Sequence, residues 1–375
     1  MRRRSVLHAT SLAALAALAA CDGDSPPVTP TTAAGVPAVG VPASFAADGW
    51  QAVGVLLTAH SPASTPLGFL TVEKVGVRFA AVLRDPATGV ERWRSAAALG
   101  AAADAGMVVI GGRTWVATIN PLPAATTISL FDPAGKSGAR AGRTAGAASG
   151  WRVEMSDVGV GVDYRNGTNA LMTPAGGLVP VAAPKLGGLT GAMWVPAGDG
   201  HLVSYQGGGV AMVVGGELVW RSVDNTPNGL DPASTGRVGV AGDVVALQWP
   251  ASDPGLWVPA LFDLVSGELL MVAPEPSVES RAVVRSTDTR WVAVGGAAFD
   301  VRAKRYVPTV PVTVPHTIHE DILYGEDEAG SPVVVDLVTG KQFKGATRVP
   351  LAIDAAARVG LFVDPDGGAH GIRLR

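Results

Sequence analysis

The sequence predicts an all-β chain that forms a propeller of eight blades, each with four antiparallel strands. Its Val-rich apolar runs are mostly four to seven residues long and are broken by Gly, Pro, Asp and Asn, which is typical of strands rather than helices. A strand–turn–strand unit also recurs at the spacing of propeller blades. Finally, the two chain ends carry complementary parts of one further blade.

The repeat is an apolar strand that ends in Asp, a short turn that often contains Gly, and a second strand. Turn centres fall near 87, 134, 175, 215, 265, 302 and 338, so the spacing is about 36 to 50 residues, which fits one four-stranded blade. The copies are residues 80–95, 128–140, 169–181, 210–222, 259–271, 296–307 and 332–344. Those at 169–181 and 210–222 match the pattern only in part.

The eighth blade is predicted from the chain ends. The C-terminal segment RVGLFVDPDGGAHGIRLR resembles the middle strands of a blade whose last strand is absent. The segment around residues 38–55 is left to supply that strand, and such a closure removes an open sheet edge. Eight blades are therefore expected, with seven as the near alternative.

The recurring aspartates are interpreted as parts of the scaffold. An Asp carboxylate can accept backbone N–H bonds from the residues after it, and a Gly in the turn supplies the positive φ that a tight hairpin needs. A catalytic residue is needed once, whereas these residues recur with the fold period. They are Asp85, Asp132, Asp263, Asp300 and Asp336, with Gly267 and Gly340 among the turn glycines.

The repeat consists of a strand, a D-x-x-[ST]-G turn and a second strand, and two copies carry a tryptophan, Trp93 in TGVERWRS and Trp220 in GGELVWRS. Over roughly residues 45–375, this pattern resembles the repeat of pyrroloquinoline-quinone-like (BamB-like) propellers. The resemblance implies that these tryptophans dock neighbouring blades. Quinone enzymes of that group have a neighbouring-cysteine pair and a Glu/Asn/Asp calcium site. This chain has one cysteine and no calcium triad that we can locate, so we expect no quinone dehydrogenase activity and no cofactor.

Residues 1–20 are interpreted as a signal peptide, with Arg2, Arg3 and Arg4 before a short apolar run. LAAC, which ends at Cys21, resembles the lipobox of bacterial lipoproteins and implies a diacylglycerol on this thiol; an ordinary signal peptide is the alternative. The signal fits either the twin-arginine route or the general secretion route, and each of them exports the protein from the cytoplasm. The expected location is therefore the extracytoplasmic side of the cell membrane, with a lipid anchor.

Residues 21–44 are predicted to be the lipid anchor and a Pro-rich disordered tether, and residues 45–375 the propeller. Proline extends the tether, which can lift the ring from a membrane. Removing residues 1–20 takes three of the 29 basic residues and none of the 32 acidic ones, which changes the formal net charge from −3 to −6. This balance argues against nucleic acid as a partner.

Two weak candidates for a metal site stand out: His316 with His319 in HTIHED, and Asp364 with Asp366 in DPDGG. Strand alternation would place the two histidines on opposite faces, and the EF-hand glutamate is missing after Asp366. Solvated loop residues and a hairpin turn are the favoured readings, so we expect no metal. The Gly-Lys-Ser of residues 130–137 lacks the first glycine of a phosphate loop and is interpreted as a blade turn.

The expected function is a membrane-anchored, non-catalytic protein-interaction scaffold with an unidentified protein partner. The alternatives are a binder of a small ligand or polymer, or a hydrolase or lyase, with the site in the central channel. Exposed tryptophans would mark an interaction rim, although tryptophans of propellers often pack between blades. The candidates are Trp194, Trp249, Trp257 and Trp291.

Overall fold

The structure is a computed structural model of the 375-residue chain. It describes residues 41–52, 63–138, 141, 143–148, 152–156, 158–163, 169–173, 177–181, 191–205, 209–234, 237–280, 282–364 and 368–375. Eight sheets form eight blades, and the strands within each blade pair antiparallel. The predicted eight-bladed propeller is confirmed, and the seven-blade alternative is wrong.

The first four blades follow one another along the chain, each with its first strand innermost. Blade 1 contains β2 (Ala63–Thr65), β3 (Gly68–Val75), β4 (Arg78–Arg84) and β5 (Glu91–Arg94). Blade 2 contains β6 (Asp104–Ile110), β7 (Arg113–Pro121), β8 (Ala125–Phe131) and β9 (Arg143–Ala148). Blade 3 contains β10 (Arg152–Ser156), β11 (Gly159–Asp163), β12 (Asn169–Met172) and β13 (Leu178–Val181). Blade 4 contains β14 (Gly191–Ala197), β15 (Gly200–Tyr205), β16 (Gly209–Val214) and β17 (Glu217–Arg221).

Blades 5 to 7 repeat this order after two short 3-10 turns, Ser222–Asn225 and Pro232–Ser234. Blade 5 contains β18 (Arg237–Ala241), β19 (Val244–Pro250), β20 (Leu256–Asp263) and β21 (Leu269–Val272), and β22 (Ser277–Val278) also pairs with β20. Blade 6 contains β23 (Val283–Arg285), β24 (Trp291–Val294), β25 (Ala297–Asp300) and β26 (Arg305–Pro308). Blade 7 contains β27 (Val314–His319), β28 (Ile322–Glu326), β29 (Pro332–Asp336) and β30 (Gln342–Phe343).

Blade 8 closes the ring by joining the two ends of the chain. It contains β31 (Ala352–Asp354), β32 (Val359–Val363) and β33 (Ala369–Leu374), and its fourth strand is β1 (Phe45–Ala52). Trp50 pairs with Gly371, and the Arg375 amide donates to the Ser44 carbonyl oxygen at 2.9 Å. The N-terminal closing strand is therefore present as predicted.

All seven predicted turns connect the third and fourth strands of their blades. Because the strands alternate in direction, these turns lie at the same end of the ring as the turns between first and second strands, and we call this the turn end. The opposite end, the loop end, carries the hairpins between second and third strands and the connections between blades. Phe45 pairs with Leu374, which places the start of β1 at the turn end.

The core consists of eight hydrophobic clusters, one at each interface between adjacent blades. Trp220 of blade 4, for example, shares a cluster with Phe262 of blade 5, and Trp50 of blade 8 shares one with Phe69 of blade 1. The apolar area that stabilises the fold is thus buried between blades, and no blade buries both faces alone. In the part of the chain that the structure describes, no helix is long and apolar enough to cross a membrane.

Candidate functional site

The turn aspartates hold the hairpins of the turn end. Asp263 Oδ1 accepts the backbone N–H groups of Val265 at 3.0 Å and Ser266 at 2.7 Å, and Gly267 adopts a φ of 69°. Asp336 accepts backbone bonds at 2.8 and 3.0 Å in the same way, and Asp85 does so at 2.9 Å. These are the predicted Asx turns. The carboxylates of this set therefore act in local structure.

The pKa values of these carboxyl groups follow from the same contacts. The Ser266 backbone N–H lowers the pKa of Asp263 below its ordinary value of 3.8, although partial burial opposes the shift. At Asp85, burial raises the pKa, but hydrogen bonds from Thr88 and Arg92 outweigh it, so the net shift is downward. Both groups are therefore ionised at neutral pH, and the charged carboxylate accepts these N–H bonds more strongly than the neutral acid would.

Tryptophans of the fourth strands dock on the turns of the next blade. Trp220 Nε1 donates to the Leu264 carbonyl oxygen at 2.9 Å, and a Cβ added to Gly267 would lie 2.4 Å from Trp220 Cγ. Trp50 repeats this contact with the turn of blade 1: its Nε1 donates to the Pro86 carbonyl oxygen at 2.8 Å, and its indole covers Gly89.

Trp50 is thus a third docking tryptophan, which the sequence analysis missed. Trp93 is also buried, at 2 % exposure, and packs edge-on to Phe131 of blade 2. Its Nε1, however, has no hydrogen-bond partner in the structure. The turn of blade 2 lacks the D-x-x-[ST]-G sequence, so this docking contact is incomplete.

Blade 6 replaces the docking tryptophan with an arginine and a valine. Arg305 Nη2 donates to the carbonyl oxygen of Leu337 at 3.2 Å, and Leu337 corresponds to Leu264 in the turn of blade 5. Val307 Cγ1 lies 3.8 Å from a Cβ added at Gly340, where the tryptophan ring would otherwise lie. Blade contacts are therefore chemically divergent, as the small number of tryptophans indicated.

His316 and His319 lie within β27 and are partly buried, so the expectation of solvated loop residues is wrong. The register shifts between Pro315 and Thr317, so a β-bulge at His316 breaks the strand alternation that the sequence analysis assumed. His316 Nε2 lies 3.3 Å from Glu326 Oε1, whereas His319 Nε2 lies 3.8 Å from Glu320 Oε1. Burial lowers the pKa of His319. Within the described ranges, no group of three His, Cys, Asp or Glu residues could hold a metal ion.

Asp364 is held by two partners that the sequence gave no reason to expect. One carboxylate oxygen contacts His370 Nε2 and the other contacts Arg348 Nη1. His370 is 3 % exposed, so this group ties the hairpin between β32 and β33 to the connection from blade 7. Asp366, and likewise Cys21, lies outside the described residues.

The tryptophans proposed for a rim are mostly interior. Trp249 and Trp291 are each 0 % exposed, and Trp257 is half-buried. The side chain of Trp194 lies outside the described part of the chain. The Gly-Lys-Ser segment is a blade turn, in which Ser137 Oγ accepts the Arg94 backbone N–H at 3.1 Å.

Carboxylates lie at both ends of the ring. At the turn end, arginines pair with turn aspartates, as Arg92 does with Asp85 and Arg290 with Asp300. At the loop end of blades 5 to 7, Arg237 begins β18 and the exposed Lys344 follows β30, so basic residues occur there beside the acidic residues of segments 229–234, 251–255, 273–280 and 327–331. Their acidic residues, which we call the acidic sector, are Asp231, Asp253, Glu275, Glu279, Asp327 and Glu328.

A pocket of about 420 Å³ opens in this sector. Its wall is mixed, and Asp231, Ser234 and Ser252 supply polar side chains. The apolar part consists mainly of Leu230, Trp249, Pro250, Val258 and Pro276.

Comparisons with known proteins agree on the fold. The chain is similar to the computationally designed Ika8 protein (13 % identity over 90 % of this chain and 99 % of that chain, TM-score 0.52). It is also similar to Sqt1 of Saccharomyces cerevisiae (10 % identity over 86 % of this chain and 97 % of that one, TM-score 0.54). BamB from Moraxella catarrhalis aligns at 13 % identity over 92 % and 98 % of the two chains, with a TM-score of 0.40, which is too low to carry an argument.

The protein is thus an eight-bladed β-propeller. At these identities the similarity extends to the fold alone. No family model matches the sequence, and no curated protein matches it.

Proposed function

We propose that this protein is a non-catalytic protein-interaction scaffold, anchored by a lipid at Cys21 on the extracytoplasmic side of a membrane. A closed propeller is a rigid ring that presents loops at both ends, which suits it to bind other proteins. The scaffold role accounts for the use of the recurring carboxylates in turns rather than at a common centre.

The observation that carries the proposal is the closed ring with exposed apolar side chains at both of its ends. Turn-end carboxylates are largely used by backbone N–H groups and arginines. Val265 at 72 % exposure lies at the turn end, and Val310 at 70 % and Val314 at 42 % exposure lie at the loop end. A partner protein that covers either end would bury these apolar side chains, which favours association.

The place where the chain enters the ring supports a membrane-anchored orientation. β1 begins at the turn end beside Arg375, so the predicted tether, residues 22–44, joins the ring at the end opposite the acidic sector. An extended Pro-rich chain advances about 3.1 Å per residue. A tether of this length leaves the loop end free to meet a partner away from the lipid.

Metabolic labelling with palmitate tests the anchor. Wild-type protein is expected to incorporate the label and to sediment with membranes, and the Cys21→Ser variant to do neither. A label retained by the variant would contradict lipidation at Cys21.

Crosslinking in membranes tests the scaffold role. Photo-reactive residues placed at Ser252 in the loop end and at Val265 in the turn end are expected to trap a discrete partner from at least one position. Absence of any adduct from both positions, together with turnover in a panel of hydrolase and lyase substrates, would replace the scaffold by an enzyme.

A further inference from the structure

We propose that the protein partner binds the loop end of blades 1 and 2 through an apolar surface of its own that is bordered by carboxylates. The surface on this chain, which we call the apolar patch, consists of the β3–β4 hairpin (residues 74–79), the connection between the two blades (95–103) and the β7–β8 hairpin (121–125). The inference rests on the scaffold role and adds the place where the partner binds and the chemistry of the partner's surface.

The exposed side chains of the apolar patch are mainly apolar. Val77 is 92 % exposed in the first hairpin, and Leu122 is 40 % exposed between two exposed prolines of the second. The connection between the hairpins adds four exposed alanines, Ala97, Ala98, Ala101 and Ala102. Covering these groups with a partner removes apolar area from water, which is the main favourable contribution to most protein association.

Hydrogen bonds make the apolar patch one continuous surface. Phe79 and Leu99 exchange two backbone bonds, at 3.1 and 2.9 Å, which join the first hairpin to the connection. The Gly100 backbone N–H donates to Asn120 Oδ1 at 2.9 Å, which joins the connection to the strand that enters the second hairpin. Because the three segments are bonded to one another, a partner meets a preformed surface and loses little free energy in ordering it.

Two exposed cations border the patch and define the charge of the partner. Lys74 and Arg78 lie on the two strands of the first hairpin. Among the residues that the structure describes, neither of them forms an ion pair, whereas Arg92 and Arg113 of the same two blades each contact a turn aspartate. Carboxylates at the edge of the partner's apolar surface would complement these cations.

The carboxylates that adjoin the patch in the chain are already in use. Glu73, which precedes Lys74, is 3 % exposed and forms the buried pair with Arg84. Asp104, which follows the connection, is half-buried, and its Oδ1 accepts the Ala105 backbone N–H at 2.8 Å. The three segments of the patch themselves contain no Asp or Glu, so the patch favours an acidic partner over a basic one.

A protein suits this patch better than an anionic membrane surface does. The patch contains no Trp or Tyr, the residues that are enriched at membrane interfaces. Most of its exposed apolar groups are small, which lets the backbone of a partner approach closely. The start of β1 beside Arg375 also places the predicted tether at the turn end, opposite the patch.

Photo-crosslinking in membranes tests the binding place with the full, anchored chain. A photo-reactive residue at Ala98, in the middle of the patch, is expected to form one discrete protein adduct. The double variant Val77→Ser, Leu122→Ser should lower the yield of that adduct about fivefold, because it removes apolar area that the partner buries. The control Val265→Ser, Val338→Ser, which changes two exposed valines of the turn end, should leave the yield unchanged.

A second pair of variants tests the charge of the partner. Lys74→Glu with Arg78→Glu should lower the adduct yield about tenfold by placing like charges opposite each other. Lys136→Glu with Lys341→Glu makes the same change in net charge at two exposed lysines of the turn end and should have no effect. Circular dichroism verifies the fold of each variant. Equal yields from patch and control variants overturn the inference, as does an adduct of Ala98 with phospholipid in place of protein.

Failure of this inference is distinguishable from failure of the scaffold role. Absence of a protein adduct from Ala98, with a partner trapped from Ser252 or Val265, would overturn the apolar patch and leave the scaffold intact. Absence of adducts from all three positions, together with substrate turnover, would remove the scaffold role as well. An adduct from Ala98 that both patch variants weaken and both controls retain supports the inference.

Discussion

Trp220 Nε1 donates a hydrogen bond to the Leu264 carbonyl oxygen at 2.9 Å, across the interface of blades 4 and 5. The same indole covers Gly267, and Trp50 repeats the relationship with Gly89 at the closure of the ring. The turn glycine therefore has two functions, since it supplies a positive φ and admits the tryptophan of the preceding blade.

Because Gly267 has both functions, adding one methyl group at this position should lower the free energy of unfolding more than at an ordinary turn glycine. Gly267→Ala places a Cβ 2.4 Å from Trp220 Cγ at a φ of 69°, so we expect a loss of about 2–4 kcal/mol in the free energy of unfolding from strain and overpacking. Gly330→Ala is the control, because Gly330 has a φ of 76° and open space around its Cα, and it should cost about 1 kcal/mol. Equal costs in urea unfolding would contradict the docking role.

The hydrogen bond of Trp50 predicts a difference between two otherwise similar substitutions. Trp50→Phe leaves the Pro86 carbonyl oxygen without its donor, whereas Trp93→Phe removes an N–H that has no partner. We expect Trp50→Phe to destabilise the protein by about 1 kcal/mol more than Trp93→Phe. Thermal unfolding of the two variants measures this difference, and the reverse order would be incompatible with the contact.

For a buried ion pair in blade 1, we expect the losses in the free energy of unfolding caused by substituting its two residues not to add. Arg84 and Glu73 are 1 % and 3 % exposed and form a two-pronged contact at 2.7 and 2.6 Å. Glu73→Gln leaves Arg84 as a buried charge without its partner and should cost about 3–5 kcal/mol. The double variant Glu73→Leu, Arg84→Met should cost markedly less, because no charge remains buried.

An exposed ion pair serves as the control for this prediction. Arg221 and Asp224 are 44 % and 52 % exposed in their side chains, so Asp224→Asn should change stability by less than about 1 kcal/mol. A double variant as unstable as Glu73→Gln alone would show that packing, rather than charge burial, sets the cost.

The turn carboxylates predict that the free energy of unfolding decreases at acidic pH. The folded-state pKa of Asp263 is lowered, mainly by the Ser266 backbone N–H, so its carboxylate stabilises the fold above the ordinary pKa of 3.8. That contribution is lost as pH falls through the folded-state pKa. The stability difference between wild type and Asp263→Asn should therefore shrink below about pH 4 in urea titrations. Asp253→Asn, which removes a carboxylate from the loop end, controls for net charge.

Closure by β1 predicts where the chain tolerates truncation. A chain that starts at residue 41 keeps every contact of β1, including the pairing of Trp50 with Gly371. A chain that starts at residue 53 exposes the edge of β33 and should aggregate or pair with a second copy. Size-exclusion chromatography distinguishes the two, and a monomeric, stable second variant would contradict closure by this strand.

Local patterns account for the part of the fold that was predictable. Asp263 to Gly267 forms its turn from contacts within five residues, so the turn could be recognised in one copy and counted in the others.

Contacts between distant segments account for the errors and omissions. The role of Trp50 was hidden because blade 8 is divided between the chain ends, so no intact repeat surrounds it. His316 was misplaced because a β-bulge breaks strict alternation. Asp364 was read as part of a simple turn because His370 and Arg348, its partners, lie on other elements.

The sequence by itself determined the repeating hairpin, its period and the return of the N-terminal segment to the last blade, because each depends on residues close in the chain or on counting. Only the tertiary structure decided which tryptophans complete their docking contacts and that six carboxylates between Asp231 and Glu328 share one end of the ring. These relationships arise where blades stack, and stacking joins residues that the linear order keeps about 40 or more positions apart.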